Sequence, residues 1–444
     1  MKSAFIPGFV LFLIFGAYGV ATGQTPSPSP SQSAVSSAQP SNAPVRDVTE
    51  YTLPPGKLAK SKALYDISGR LRTIGTIWGF VVLLGVLFLG VVAHFRNWAE
   101  KATKYSFVQA LIVVPLLLIL LDVLNWPLAA YGHSISLQYG LSVQHWGSWF
   151  SDLLKGLAIS IVISSIALWF LIWRIRRSPR WWWLQVWVVA LPFIVLFAVV
   201  TPLVIDPLFN KFEPLDKTNP QLVDALESVV HRAGMVIPRD RMFLMKASEK
   251  VTTLNAYVTG FGPSKRVVVW DTTVQKATTP ETLFVFGHEM GHYVLNHVVI
   301  GLCAGAIGLL IGLYLLYRLS GWFLHRWGQR WRITQLGDWA ALPMIFLIFS
   351  ILGFIAQPIG SGFSRVLEHN ADVYGLEVTH GINPNPQQAA ANAFQLLGEL
   401  SLDYPYPNRF LVFWYWDHPT IADRVRFAHN YDPWAKGEQP RYVK

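Results

Sequence analysis

His288-Glu289-Met290-Gly291-His292 sets two imidazoles and a carboxylate within a little over one helical turn. On an α-helix, residues four apart are separated by about 400° of rotation, so His288 and His292 share a face and reach one ion. Two neutral imidazoles suit Zn²⁺ and leave room for water, and the adjacent Glu289 carboxylate can take that water's proton as it attacks a carbonyl. The motif therefore points to hydrolysis of peptide bonds by metal-activated water, with one zinc per chain. Its helix is expected to start near Thr279-Pro280-Glu281, because proline at a first helical position and an early acid favour a start there. It is expected to run on into the apolar residues that follow. On such a continuous helix His297 lies about 180° from His288 and faces away from the metal, as a structural or interfacial residue.

Catalytic zinc usually takes three protein ligands and keeps one position open. The candidate for the third is Glu368, in Ser364-Arg365-Val366-Leu367-Glu368-His369-Asn370-Ala371-Asp372, a stretch free of proline and glycine that follows an apolar run. Asp372, four residues on, shares its helical face. That pair fits Glu368 on the metal, with Asp372 behind it orienting a ligand imidazole or an arginine. The plainer alternative is a solvated acidic helix face.

The chain has 444 residues, of which 52% are hydrophobic and 14% charged, with a mean hydropathy of +0.35. That is too apolar for an ordinary soluble enzyme, and the reading is a multi-pass membrane protein. Apolar stretches at about 74–95, 107–130, 153–173, 181–205, 298–319 and 340–359 are each long enough to cross a hydrocarbon core of about 30 Å as a helix. Asp122, Lys155 and Gln357 interrupt or border them, as residues lining an internal cavity or lying near the interface would. Cys303 is the only cysteine, so no intrachain disulfide and no thiolate metal site is expected.

Residues 1–23 read as a signal peptide, with Ala21 and Gly23 before a cleavage point, or as an uncleaved anchor. Residues 24–60 read as a linker, rich in Pro, Ser, Ala and Gln at its start and unable to bury a core there. The remaining organisation is expected as four spans in 61–205, a metalloprotease domain in 206–297, two spans in 298–359 and a C-terminal catalytic segment in 360–444. Within 206–297, residues 219–231 read as an amphipathic helix, 242–245 and 265–270 as short strands, and 260–263 as the turn before the second strand.

A net charge of +10 raises nucleic acid as a partner, but its distribution argues for a membrane instead. Arg96, Lys101 and Lys104 follow the first span, Arg174, Arg176, Arg177 and Arg180 the third, and Arg318, Arg326, Arg330 and Arg332 the fifth. The loop 131–152 on the opposite side has no lysine or arginine. The positive-inside rule puts the basic loops in the cytoplasm and the catalytic segment on the periplasmic side of a bacterial inner membrane. Lys57, Lys60, Lys62, Arg70 and Arg72 before the first span pull the other way.

From 59 to 428 the chain resembles the type 1 CAAX prenyl endopeptidases of peptidase family M48. The likeness rests on Asp206-Pro207-Leu208-Phe209-Asn210-Lys211-Phe212-Glu213-Pro214-Leu215, Asn255-Ala256-Tyr257, HEMGH, the Glu368-His369-Asn370-Ala371-Asp372 run, and Asp417-His418-Pro419-Thr420 followed by Arg424. HtpX-like members share the zinc residues but are shorter, with fewer spans. The resemblance implies a mainly α polytopic membrane protein, a ring of transmembrane helices around a water-filled chamber, with a small α+β zinc metalloprotease (gluzincin) domain. It implies His288, His292 and Glu368 as zinc ligands and Glu289 as general base. Asn255, Ala256 and Tyr257 would hold the substrate backbone by strand addition. His418 would lie near the developing oxyanion, and Arg424 would pair with an acid, Asp372 being the candidate. The substrate would be a peptide or a membrane-associated protein, with lipid as the surrounding partner. In the eukaryotic family the catalytic face is cytosolic, opposite to the arginine-based placement. Competing readings are a quality-control protease of the same chemistry and, in another class, a channel or transporter whose zinc is structural.

Overall fold

In a computed structural model of the protein, residues 47–260 and 265–443 are described. The expected signal peptide, the linker up to residue 46 and most of the 260–263 turn lie outside them. Among the described residues five helices come first: α1 (Pro55–Leu89), α2 (Val91–Ala102), α3 (Ser106–Gln138), α4 (Trp146–Arg177) and α5 (Trp182–Val200). A compact unit follows, made of β1 (Phe212–Pro214), α6 (Pro220–Arg232), β2 (Met242–Met245), β3 (Ala256–Thr259), β4 (Arg266–Trp270) and α7 (Thr279–Val294). Then come α8 (His297–Trp327), α9 (Leu342–Thr379), α10 (Pro386–Ser401), α11 (Arg409–Tyr415) and α12 (Ile421–Asn430).

Among the described residues, six helices are long and apolar enough to cross a membrane: α1, α3, α4, α5 with its short continuation to Phe209, α8, and α9 with the turn before it. They form a closed ring, with α1 against α3, α3 against α4, α4 against α5, α5 against α8, α8 against α9 and α9 back against α1. The interior is packed only toward one end. Leu83 and Leu87 of α1, Leu117 of α3, Leu168 and Ile172 of α4, Trp182 of α5, Leu316 of α8, and Ile345 and Phe349 of α9 make one core there. That plug argues against a through-channel. Burial along the spans is uneven: only 11% of the most apolar window of α8 and 17% of that of α5 are buried, against 61% of that of α9. Helices covered by lipid outside and facing a hollow inside would show this pattern, because neither face then meets protein.

The end away from that core carries the catalytic unit. Lys250 pairs with Asp152 at 2.6 Å, Val251 bridges to Ser142, and Thr252 donates to the Gly140 carbonyl at 2.9 Å. The arginine-free loop and the metalloprotease unit therefore share a side. At the plugged end Arg96 pairs with Asp338 at 2.5 Å and Arg176 donates to the Gly337 carbonyl at 2.7 Å.

The sheet has the order β1-β2-β4-β3, with β2 and β4 parallel and both outer pairs antiparallel. β4 is buried throughout, as its Val-rich sequence requires of a central strand. β3 is an edge, paired with β4 from Ala256↔Val269 to Thr259↔Arg266, and it lies beside α7.

Three boundaries differ from the sequence reading. First, α9 runs unbroken from the sixth span into Glu368, Asp372 and on to Thr379, tolerating Pro358 within it. The expected division at 359/360 does not exist, because nothing after Pro358 stops the helix. Second, the described end of the expected linker is packed, and α1 already begins at Pro55. Val48, Tyr51 and Leu53 bury against Phe394 and its neighbours. The Tyr51 hydroxyl donates to the Asp403 carbonyl at 2.7 Å, and Gln395 donates to the Thr52 carbonyl at 2.7 Å. Third, the C-terminal residues return to α9. Buried Glu377 accepts from the Tyr431 hydroxyl and from the backbone N–H groups of Arg441, Tyr442 and Val443.

Candidate active site

α7 starts where the sequence places it, on a capping box in which Thr278 N–H donates to the Glu281 carboxylate at 2.7 Å and Glu281 N–H to the Thr278 hydroxyl at 3.4 Å. The helix then crosses α9 at close range because both lack side chains at the contact. A Cβ on Gly287 would come 2.8 Å from Val378 Cγ1, one on Gly291 3.0 Å from Tyr374 Cβ, and one on Gly375 2.9 Å from the His288 backbone nitrogen. This close crossing carries Glu368 to the imidazoles.

His288 Nε2 and His292 Nε2 are 3.2 Å apart, and each lies 3.4 Å from a Glu368 oxygen. Glu368 is 2% exposed, yet its Oε2 has no hydrogen-bond partner. These spacings fit a tetrahedral zinc, whose ligand atoms at bond lengths of about 2.0–2.2 Å stand roughly 3.3–3.6 Å apart along each edge. Three donor atoms within 4.8 Å of one another, one of them a buried carboxylate oxygen with no hydrogen-bond partner, could hold a metal ion by the chemistry of the donor set.

Each imidazole is held from behind. His288 Nδ1 lies 2.8 Å from Asp372, and Arg424 grips Asp372 through both oxygens, Nε at 3.0 Å and Nη2 at 2.6 Å. The Arg424 guanidinium also sits over the Phe394 ring at 4.3 Å. His292 is held by a residue that the sequence reading turned away. α7 stops at Val294, Asn296 takes a left-handed φ of 57°, and α8 starts at His297. The turn swings His297 back until its Nδ1 is 3.1 Å from His292 Nδ1. The expectation of one continuous helix was wrong, and the signal against it was Asn296 itself, since asparagine is among the few side chains that adopt αL readily.

Glu289 is half-buried on the same helix, and burial raises its carboxyl pKa above the ordinary value although the neighbouring imidazoles oppose this. His418 Nε2 lies 3.3 Å from Glu368 Oε2 while Nδ1 lies 2.9 Å from Asp417, and its side chain is 43% exposed. Burial lowers its pKa, but the Glu368 carboxylate and the bond to Asp417 outweigh that and leave it raised. Asn255 is pinned by its backbone: its N–H donates to the Thr273 hydroxyl at 2.9 Å, and that hydroxyl donates to its carbonyl at 2.7 Å. Ala256 is fully buried, while Tyr257 and the rest of β3 are half-buried.

The description "Peptidase family M48" matches residues 216–432, and "CAAX prenyl protease N-terminal, five membrane helices" matches 39–211. An uncharacterized metalloprotease of Bacillus subtilis (strain 168), YhfN, is 33% identical over 376 residues, 85% of this chain and 86% of that protein. CAAX prenyl protease 1 of Saccharomyces cerevisiae is 26% identical over 335 residues, 71% of each. The crystal structure of S. mikatae Ste24p has the same fold, with a TM-score of 0.73, 21% identity, and 96% of this chain and 98% of that chain covered. Identity sustained over most of both bacterial and yeast relatives, on a ring of spans that delivers a histidine–glutamate metal site, places the chain in peptidase family M48 as a multi-pass membrane metalloendopeptidase.

Proposed function

We propose that the metal is zinc, held by His288, His292 and Glu368, and that the enzyme cleaves extended peptides or membrane-associated protein segments presented at the end of the ring away from its packed core. The observation that carries this reading is the buried Glu368 oxygen that makes no hydrogen bond while lying within 3.4 Å of an imidazole nitrogen. When bound, zinc polarises a carbonyl and acidifies a water, which is the chemistry the three ligands are chosen to retain.

The rest falls to the chain's own groups. Glu289 takes the proton of the attacking water and passes it to the leaving amine, and a carboxyl with a raised pKa is better matched to that shuttle near neutral pH. His418, with a pKa raised by Glu368 and Asp417, presents a donor beside the ligand cluster where negative charge develops on the carbonyl oxygen. The free edge of β3 at Ala256 and Tyr257, fixed at its start by Asn255, pairs with an extended substrate backbone alongside α7. The substrate enters as a strand, so its local folding is undone before cleavage. The plugged, arginine-bearing end lies in the cytoplasm and the catalytic end on the periplasmic side of a bacterial inner membrane.

The test is metal content and peptide cleavage on one detergent preparation of wild type, Glu289→Gln and Glu368→Ala. The expected result is one zinc per chain in wild type, zinc kept but turnover abolished in Glu289→Gln, and zinc weakened in Glu368→Ala. Glu289→Gln cutting casein at the wild-type rate would remove Glu289 from the mechanism. Farnesylated and unmodified forms of one peptide, compared in the same assay, separate a prenyl-dependent enzyme from a general endopeptidase.

A further inference from the structure

His297 is 4% exposed, and its Nδ1 faces His292 Nδ1 at 3.1 Å, with the two rings 72° apart. Two ring nitrogens this close share one proton, which only one of them can carry. His292 Nε2 points toward His288 Nε2 and Glu368, so its lone pair belongs to the ligand cluster and its proton must sit on Nδ1. His297 Nδ1 is then the acceptor, and the His297 proton sits on Nε2. We propose that His297 is a positioning residue that fixes the tautomer and ring angle of His292 by accepting its Nδ1–H, as Asp372 does for His288.

The two ligand imidazoles are thus oriented by unlike partners. Asp372 is a carboxylate gripped by Arg424, whereas His297 is a neutral ring, so the His292 arm has the weaker acceptor. His297 is also the first residue of α8, a membrane span, so the angle of a metal ligand depends on where that span begins. The αL turn at Asn296 makes this possible, since a continuous helix would carry His297 to the far face.

The inference rests on the zinc reading above, and the experiment separates the two. Zinc release to a chelator is followed for wild type, His297→Phe and His297→Asn, together with the visible spectrum of each after Co²⁺ replacement. Asn places a carbonyl oxygen close to where Nδ1 stood and can accept the same proton, whereas Phe fills the volume and accepts nothing. The expected result is release at least ten-fold faster in His297→Phe with a shifted Co²⁺ spectrum, the range seen when a partner behind a ligand is lost. His297→Asn should keep release within about three-fold of wild type and an unshifted spectrum, since the acceptor is restored. Equal release from all three proteins, or equal impairment of both variants, overturns the positioning role. A wild type that holds no zinc would instead overturn the zinc reading.

Discussion

Gly375→Ala tests whether the metal site depends on how closely α7 and α9 approach. The added Cβ would lie 2.9 Å from the His288 backbone nitrogen and 3.2 Å from its Cα. Ordinary contact needs about 3.4 Å or more, so the helices must part by roughly half an ångström. Neither obstructing atom can rotate away, because both are backbone. Glu368 stands two turns earlier on the same helix, roughly 10 Å along its axis, so a rigid shift reaches it with little loss. Metal–ligand distances tolerate about 0.2 Å, and overpacking of this kind costs about 1–3 kcal/mol. If that strain falls on the metal-bound state, zinc affinity drops about five- to 150-fold. The assay is competition for zinc against a chelator of known affinity, with melting temperature followed in parallel. Gly353→Ala and Gly360→Ala on the same helix are the controls, since a Cβ at either meets nothing within 4 Å. The argument fails if Gly375→Ala holds zinc as tightly as wild type, or if Gly353→Ala loses it equally.

Three further outcomes follow from the same geometry. Arg424→Met leaves Asp372 buried without its cation, which should destabilise the protein by about 3–5 kcal/mol and weaken zinc. Thermal melts and chelator competition check this, and the double variant Arg424→Met/Asp372→Asn should melt higher than the single one. Burial raises the Asp403 carboxyl to about 7 from an ordinary value of about 3.9. The folded state therefore holds a proton that the unfolded state has released, and stability falls as pH rises from about 4 to about 7, by at most about 4 kcal/mol. Asp403→Asn should accordingly raise the melting temperature relative to wild type at pH 8 and not at pH 4, and an equal gain at both would refute the assignment. A cysteine at exposed Thr218, in a Cys303→Ser background, should react with an impermeant maleimide in intact cells whose outer membrane is permeable to it. Labelling only after lysis would put the catalytic end in the cytoplasm.

The parts of this structure legible in the sequence are those with a local cause. The start of α7 follows from Thr278, Pro280 and Glu281, three neighbours that cap one another. The pairing of His288 with His292 follows from helical period alone, and the shared side of loop 131–152 and the metalloprotease unit follows from charge placement. What stayed hidden is what the chain makes by meeting itself far away. Arg424 reaches toward His288 across 136 residues, and Thr52 meets Gln395 across 343. No window of sequence contains both members of either pair. Gly287, Gly291 and Gly375 look like tolerated helix breakers until the crossing of α7 and α9 gives them a reason. Glu377 reads as one more acid on a helix, and only the returning C-terminal segment shows why a carboxylate is buried there.

The Arg424 grip on Asp372 also sets an order in which the site is assembled. The chain enters the membrane from its N-terminal end, and α7 with both histidines is made well before α12. Until α12 is synthesised, Asp372 lacks the Arg424 guanidinium that grips it. The support behind His288 is therefore completed only after His288, His292 and Glu368 have all been made.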